Sequence, residues 1–288
     1  MESINVMGPA CACGSAGGGQ TRRESRFDHG SRKHTNMYTD GGRRAPAGSA
    51  VWPEPVLSVR GLRCQLDGET VLDDVSFDIA EGAAFGLTGS AGATAPADML
   101  SRTALVRVVC GLRAADRGSV LVGGCPVDGA EGTPLRDAVG YVAHSVASAS
   151  SMTVTGTVRM WARQLGLAGP LGRERTAEVL ALVRIEAHAA ARVDRCPAGV
   201  LREMSLAVAL LRQPRLLVLD EPMRGINPRG QERLRKTLDR IRGGGTALLY
   251  AAANPAEVRE VCDRVGVLHH GRLVTRDDVE SPRILTAA

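Results

Sequence analysis

The sequence is short of lysine and has few aromatic residues and no long apolar run. All but two of its 36 basic residues are arginine, the exceptions being Lys33 and Lys236, and aromatics make up 3%. No run approaches the roughly 18 apolar residues that a membrane-spanning helix needs, and the N-terminus has no apolar signal core. A net charge of +5 is too small to indicate nucleic-acid binding, so we expect no nucleic-acid partner. We expect any membrane role to come through another protein.

The seven cysteines indicate neither a disulfide framework nor a zinc centre. Only Cys11 and Cys13 are close in sequence, and no second pair stands at metal-site spacing. An odd, dispersed set of cysteines is typical of a reducing compartment. The 288 residues suffice for one or two domains with a substantial core.

Composition divides the chain into three parts. Residues 1–54 are rich in Gly, Ser and Arg, with seven basic residues against five acids, and we predict a disordered tail. Two alternatives stay open for it: a weak contact with anionic lipid or nucleic acid, and a translation start further along. Residues 55–277 have the composition of a folded domain, and we predict a C-terminal tail at 278–288.

Within residues 55–277, short apolar runs alternate with helical periodicity. Strands are predicted at 56–59, 76–79, 83–88, 120–122, 139–142, 216–219, 247–250, 265–268 and 272–274, and helices at 103–112, 153–166, 173–184, 201–212, 231–242 and 256–264. This alternation predicts an α/β fold with a mostly parallel sheet and an antiparallel β edge. A helical block at about 150–200 interrupts the alternation and is expected to form a subdomain.

The most informative stretch is Leu216–Pro222, an apolar run that ends in Asp220 and Glu221. A run of this kind predicts a strand that is buried on both faces. Carboxylates at the end of such a strand are costly unless they have a ligand or a partner. Two interpretations stay open: the acids serve a nucleotide and its metal, or they only form local hydrogen bonds at the sheet edge.

The order of these motifs resembles the ATP-binding subunit of an ABC (ATP-binding cassette) transporter, within the P-loop NTPase class. The resemblance covers roughly residues 56–276 and is closest to the exporter group that includes antibiotic-efflux subunits. It is carried by Val75–Phe77, Gly89–Gly92, Val106–Leu112, Gly140–Val142, Met152–Val154, Leu206–Leu211, Leu216–Pro222, Gly225–Gly230, Cys262–Val265 and Gly271–Leu273. It implies that Asp220 binds Mg²⁺ and that Glu221 is the general base for ATP hydrolysis.

The phosphate loop is the first place where the sequence departs from that family. Such a loop cradles phosphate with backbone N–H groups and uses a Lys and a Ser or Thr at its end. Aligned from the strand, those two positions hold Ala95 and Pro96; aligned from the helix, they hold Arg102 and Thr103. The second alignment makes Gly89, Ser90, Gly92, Arg102 and Thr103 the candidate nucleotide-binding residues, with Thr103 a second Mg²⁺ ligand.

The two alignments differ by the seven residues 94–100. Thr94 is a plausible N-cap, and Pro96 suits a first helical turn. We therefore predict that the helix begins early, moving its positive end by roughly 10 Å at about 1.5 Å per residue. Asp98 in that first turn suits the helix dipole but repels phosphate.

Five further family positions carry unexpected residues. The Gln that links Mg²⁺ to the transporter is His144, a candidate ligand or a solvated loop residue. The signature motif reads Cys196–Val200, where Pro197 offers neither a hydroxyl nor an N–H group. The aspartate of the loop after the acids is Asn227, and the switch histidine is Ala253. The adenine-stacking aromatic is replaced too, by Leu66.

These replacements predict an ATP-binding subunit of an exporter with a degenerate site and with weak hydrolysis or none. The resemblance implies ATP and Mg²⁺ as cofactors, both doubtful here. It also implies a membrane-spanning permease partner, a homo- or heterodimer with another ATP-binding subunit, and a cytoplasmic location at the inner membrane face. The alternative is a non-enzymatic adaptor or regulatory pseudo-ATPase that uses the fold for protein interaction.

Overall fold

The computed structural model describes residues 54–89, 96–127, 137–143 and 151–276. They contain ten strands and six helices. The strands are β1 (Leu57–Leu66), β2 (Glu69–Ile79), β3 (Ala84–Gly89), β4 (Arg117–Val122), β5 (Cys125–Pro126), β6 (Val139–Val142), β7 (Leu216–Asp220), β8 (Ala247–Ala251), β9 (Arg264–His269) and β10 (Arg272–Arg276). The helices are α1 (Pro96–Val109), α2 (Val154–Gln164), α3 (Gly169–Leu182), α4 (Ala198–Ala209), α5 (Pro228–Gly243) and α6 (Pro255–Val261). The predicted tails at 1–54 and 278–288 lie outside the described residues, apart from Glu54.

The strands form two sheets, as the α/β pattern predicts. A six-stranded sheet has the order β10-β9-β3-β8-β7-β6, in which β10 pairs antiparallel to β9 and the other neighbours pair parallel. A four-stranded antiparallel sheet has the order β2-β1-β4-β5. The mostly parallel sheet with an antiparallel edge is therefore confirmed.

The central strand β7 shows why its sequence is apolar throughout. Leu217 and Leu219 belong to one buried cluster with the helices α2–α6, whereas Leu216 and Val218 belong to a second with β1, β2 and α1. Successive side chains of a strand point to opposite faces, so a strand covered on both sides has no place for a polar residue before its end. The prediction of a strand buried on both faces is confirmed.

Helix α6 approaches the sheet so closely that β3 needs a glycine beneath it. A Cβ atom on Gly86 would lie 2.0 Å from the Cγ1 atom of Val258. This contact fixes α6 over β3 and so positions the loop that joins β8 to α6.

The described residues between β6 and α4 form two helices and two short 3₁₀ turns. Helices α2 and α3 are followed by the turns Glu186–His188 and Val193–Arg195. The Thr153 side chain caps α2 by accepting a hydrogen bond from the Gly156 N–H group at 3.0 Å. This is the segment that the sequence assigns to a helical subdomain.

Arginine side chains cap the C-terminal carbonyls of four helices. Arg175 donates to the Leu210 and Leu211 carbonyls beyond α4, at 2.7 and 2.9 Å. Arg212, Arg240 and Arg242 donate to the carbonyls that end α2, α3 and α6. The last carbonyls of a helix lack intrahelical partners and carry partial negative charge, so guanidinium groups suit them. Part of the arginine bias is therefore structural.

Among the described residues, no helix is both long and apolar enough to cross a membrane.

Candidate functional site

The candidate site lies where three neighbouring parallel strands end. Strands β7 and β8 pair in register through Leu219 and Tyr250, and β8 pairs with β3 on its other side. Gly89 ends β3 and is buried, and Asp220 ends β7. The carboxyl ends of parallel strands meet at one edge of the sheet, which is where α/β proteins of this kind bind ligands.

Glu221, the residue after β7, is held by contacts from two other elements. Its Oε1 atom accepts one hydrogen bond from Arg102 Nη2 at 2.6 Å and another from the Ala253 backbone N–H at 2.8 Å. Its own N–H donates to the Ala251 carbonyl at 2.8 Å. These bonds join helix α1, strand β7 and the end of strand β8 through one carboxylate.

The backbone of Glu221 adopts an unfavourable conformation. Its φ angle is 48°, in the left-handed region that non-glycine residues seldom occupy. Such a conformation costs about 1–3 kcal/mol and persists only where surrounding contacts impose it. The bonds to Arg102 and Ala253 supply that constraint on the side chain, and the bond to Ala251 supplies it on the backbone.

The ion pair between Arg102 and Glu221 is largely withdrawn from solvent. The side chains are 5% and 15% exposed. Buried charge-assisted bonds of this length are stronger than surface ion pairs, and removal of one partner leaves the other charge stranded. The Nε–H group of Arg102 is buried as well and has no hydrogen-bond partner among the described residues.

Helix α1 begins earlier than the predicted span of 103–112. Its described part starts at Pro96, with Asp98 in its first turn. The prediction that the helix begins within the 94–100 segment is confirmed. The predicted span starts too late because the inserted residues join the helix instead of forming a loop.

Asp220, the predicted metal ligand, is half-buried at the end of β7. Its charge acts on two neighbours, since it helps to raise the pKa of the buried Cys110 thiol and opposes the lowering, by burial, of the pKa of Arg202. The Nη1 atom of Arg202 donates to the Ala143 carbonyl at 2.6 Å. Helix α4 therefore brings a buried cation near the two acids.

A cavity of about 520 Å³ opens beside the ion pair. Arg102 and Glu221 line it together with Met99, Ala253 and Glu257. Burial and the neighbouring Glu221 charge both raise the pKa of Glu257. The cavity therefore has apolar, cationic and anionic walls.

Glu257 is hydrogen-bonded to a buried partner on strand β8. Tyr250 donates its hydroxyl to Glu257 Oε1 at 2.6 Å, and burial raises the pKa of Tyr250. This bond ties α6 to β8 behind the cavity.

The remaining predicted residues divide into described and undescribed positions. Thr103 is half-buried on α1, next to Arg102. Ser90, Gly92 and His144 lie outside the described residues. The structure thus brings together Arg102 and Glu221, two of the candidates that are far apart in sequence.

The residues present are compatible with an anionic ligand. The buried Arg102 Nε–H group can donate to a phosphate oxygen. Asp220 and Thr103 carry oxygen ligands of the kind that Mg²⁺ prefers, and Mg²⁺ needs only one or two carboxylates when phosphates complete its shell. No cluster of three or more His, Cys, Asp or Glu side chains suited to a metal occurs in the described part of the chain.

Two of the positions with replaced residues, and the neighbour of a third, stand at helix N-termini. Pro197 is the N-cap of α4 and forms no side-chain cap bond. Asn227 caps α5 by accepting a hydrogen bond from the Gly230 N–H at 2.8 Å. Asn254, which follows Ala253, caps α6 through the Ala256 N–H at 3.0 Å.

Sequence reasoning missed Arg202, Tyr250 and Glu257. Arg202 and Glu203 are the two charged residues of the mostly apolar helix α4, and buried charges of this kind need a partner. Glu257 follows Pro255 in the first turn of a helix that begins at the edge of the sheet, which is a pattern that places an acid beside the site. Tyr250 gave no separate signal, since tyrosine is common in strands.

Comparison with known proteins gives one family. A family model described as ABC transporter matches residues 72–224. The linearmycin resistance ATP-binding protein LnrL of Bacillus subtilis (strain 168) is 26% identical over 219 residues, which cover 76% of this chain and 68% of that protein. The Nod factor export ATP-binding protein I of Ralstonia nicotianae is 29% identical over 231 residues, which cover 80% of this chain and 70% of that protein.

Solved structures share the fold. The structure of cbiO1 from Clostridium perfringens, part of the ABC transporter complex cbiONQ, has a TM-score of 0.66 at 24% identity and covers 76% of this chain and 87% of its own. A nucleotide-free ATP-binding cassette from an ABC transporter has a TM-score of 0.65 at 16% identity, covering 76% and 90%. These likenesses concern the fold alone.

Proposed function

This chain belongs to the ABC transporter family, and we propose that it is an exporter subunit whose nucleotide site is degenerate. It binds ATP weakly and hydrolyses it slowly or not at all. Its relatives include proteins named for linearmycin resistance and for Nod factor export, which supports an exporter over an importer.

The observation that carries the proposal is that the Glu221 carboxylate is already hydrogen-bonded to other groups of the protein. A general base for ATP hydrolysis must lie within hydrogen-bond reach of the attacking water and be turned toward it. Here Glu221 Oε1 already accepts from Arg102 and from the Ala253 N–H, at 2.6 and 2.8 Å. These two bonds direct the Glu221 carboxylate at helix α1 and at the backbone after β8, so protein partners set its orientation.

The residues at the other family positions support the same conclusion. Arg102 is a planar fork and not a compact ammonium, so it does not reproduce a lysine on the phosphates. Ala253 has no imidazole, and Pro197 has no N–H group to donate. One lost electrostatic stabiliser of this kind costs about 10²–10³ in rate, and several losses do not simply multiply.

We propose that the chain works beside a membrane-spanning permease and as a homo- or heterodimer with another ATP-binding subunit. This places it at the inner face of the membrane, on the cytoplasmic side. Each nucleotide in this family contacts the phosphate loop of one subunit and the signature motif of the other. Because the chain departs from the family at both positions, an intact partner subunit does not supply a complete site.

The test is calorimetric titration of the full-length protein with Mg-ATP, followed by an ATPase assay of the wild type and Glu221→Gln. We expect dissociation constants in the millimolar range and a turnover well below the roughly 1–10³ s⁻¹ of ordinary enzymes. Turnover at ordinary rates that disappears in Glu221→Gln would contradict the proposed degeneracy. No ATP binding at all would favour the adaptor alternative.

A further inference from the structure

We propose that the Arg102–Glu221 ion pair is an autoinhibitory latch, which a nucleotide must break before its phosphates can reach Arg102. The inference rests on the proposed function, since it concerns regulation of the same nucleotide site. The latch is internal to one chain, since both residues belong to it.

The geometry shows that the latch is specific and not an incidental surface contact. The bond between Arg102 Nη2 and Glu221 Oε1 is 2.6 Å long, and the two side chains are 5% and 15% exposed. It joins helix α1 to the residue after β7, across more than a hundred positions of sequence. An exposed pair, in contrast, gains little because water screens it.

The Glu221 carboxylate accepts a second hydrogen bond, from the backbone just after strand β8. The Ala253 N–H donates to the same Oε1 atom at 2.8 Å, and Glu221 keeps its φ of 48°. A family member with a switch histidine has a side chain at this position that turns toward the phosphate, whereas Ala253 offers only its backbone to Glu221. The Glu221 carboxylate is therefore held by two donors, the Arg102 side chain and the Ala253 backbone.

The remaining part of the site is suited to an anion once the latch opens. Arg102 lines the cavity of about 520 Å³, and its Nε–H group is buried without a hydrogen-bond partner among the described residues. A guanidinium binds phosphate and carboxylate by the same fork of N–H groups, so the two anions compete for it. Glu221 also repels an incoming phosphate because both carry negative charge.

The experiment measures ADP binding to the full-length protein by calorimetry, without Mg²⁺, for the wild type, Glu221→Gln and Glu257→Gln. ADP is not hydrolysed, so the readout is binding alone. Glutamine keeps an oxygen for the Ala253 N–H group but loses the charge that competes for Arg102. Glu257→Gln is the matched control, because it removes one negative charge from the same cavity at a residue that bonds Tyr250.

We expect Glu221→Gln to bind ADP about tenfold more tightly than the wild type, as expected for release of a charge-assisted bond, and Glu257→Gln to change affinity by less than about threefold. Arg102→Met placed in the Glu221→Gln background should abolish the gain. Glu221→Ala releases Arg102 in a sterically different way and should show the same gain, so the test does not depend on one variant folding well.

The possible results separate the latch from the proposed function. Equal affinity in the wild type and Glu221→Gln, or equal gains in Glu221→Gln and Glu257→Gln, would overturn the latch while leaving nucleotide binding intact. Failure of every variant to bind ADP at millimolar concentration would overturn the latch and the proposed nucleotide site together.

Discussion

The central sheet carries an arginine–carboxylate clamp at each end of its parallel strands, and the two clamps are built differently. At the amino end, Arg242 pairs with Asp263 at 2.5 Å and also donates to the Gly82 and Val261 carbonyls at 3.1 and 3.2 Å. At the carboxyl end, Arg102 pairs with Glu221 at 2.6 Å.

The difference lies in solvent exposure and in what stands beside each clamp. The side chains of the Arg242–Asp263 pair are 20% and 48% exposed, and Asp263 also accepts from the Ala84 N–H group, so the clamp joins backbone segments. The Arg102–Glu221 pair is 5% and 15% exposed and borders a cavity. The same pairing of arginine with a carboxylate therefore joins backbone segments at one end of the sheet and lines a cavity at the other.

Arg102→Met has the largest expected effect on stability. Because it strands the Glu221 carboxylate in a site with little solvent, we expect the free energy of unfolding to fall by about 3 kcal/mol. Urea denaturation measures this, with Arg107→Met, an exposed position on the same helix, as the control. A loss equal to that of the control would mean that the pair carries no stability.

Arg242→Met tests the clamp at the other end. Its partner carboxylate is half exposed and keeps the Ala84 N–H bond, so water compensates part of the loss. We expect a fall of about 2 kcal/mol in the free energy of unfolding, less than for Arg102→Met. Lys236→Met on the same helix is the control, since Lys236 forms an exposed ion pair. A larger loss at Arg242 than at Arg102 would reverse the comparison.

Glu203→Gln tests how a buried carboxylate affects the pH dependence of stability when its cationic partner is distant. Its closest contacts to Arg233 are 3.4 Å, and burial raises the pKa of Glu203. A raised pKa means that the folded state favours the protonated acid, so this contribution is full below the unfolded pKa and is lost as the pH rises through the folded pKa.

The variant should therefore gain stability relative to the wild type as the pH rises from about 4.3, by at most about 1.4 kcal/mol per pH unit. Denaturation curves at several pH values would show it. A difference that shrinks with rising pH would mean that Arg233 outweighs burial.

Tyr250→Phe has the smallest expected effect. It removes the hydroxyl that bonds Glu257 at 2.6 Å but keeps the packing of the ring, so we expect a loss of about 1 kcal/mol in the free energy of unfolding. The double variant with Glu257→Gln should lose less than the sum of the two single variants. Additive losses would show that the bond contributes nothing by itself.

Most of the fold was predictable because its signals are local. The apolar run Leu216–Leu219 predicts a strand covered on both faces, and its side chains divide between two buried clusters. The start of α1 was predicted from Thr94 and Pro96 through capping chemistry, although periodicity alone placed the helix too late. Local patterns of this kind need no knowledge of distant residues.

The site was only half predictable. Arg102, Asp220 and Glu221 were identifiable from the order of motifs, but nothing in the sequence indicates that Arg102 pairs with Glu221 or that the Ala253 N–H group completes the arrangement. A carboxylate finds its partner through strand order and helix position, which depend on contacts far apart in the chain.

The amino-acid sequence alone is enough to identify the family, the alternating α/β order and the family positions that are replaced. Those follow from residue types in fixed order, which determine local structure and chemical capacity. The tertiary structure is needed to show that Arg102 is buried against Glu221 beside a cavity, and that arginine side chains cap the helices. The physical reason is that the energy of a charge depends on its partner and on its exposure to water, and both are set by packing.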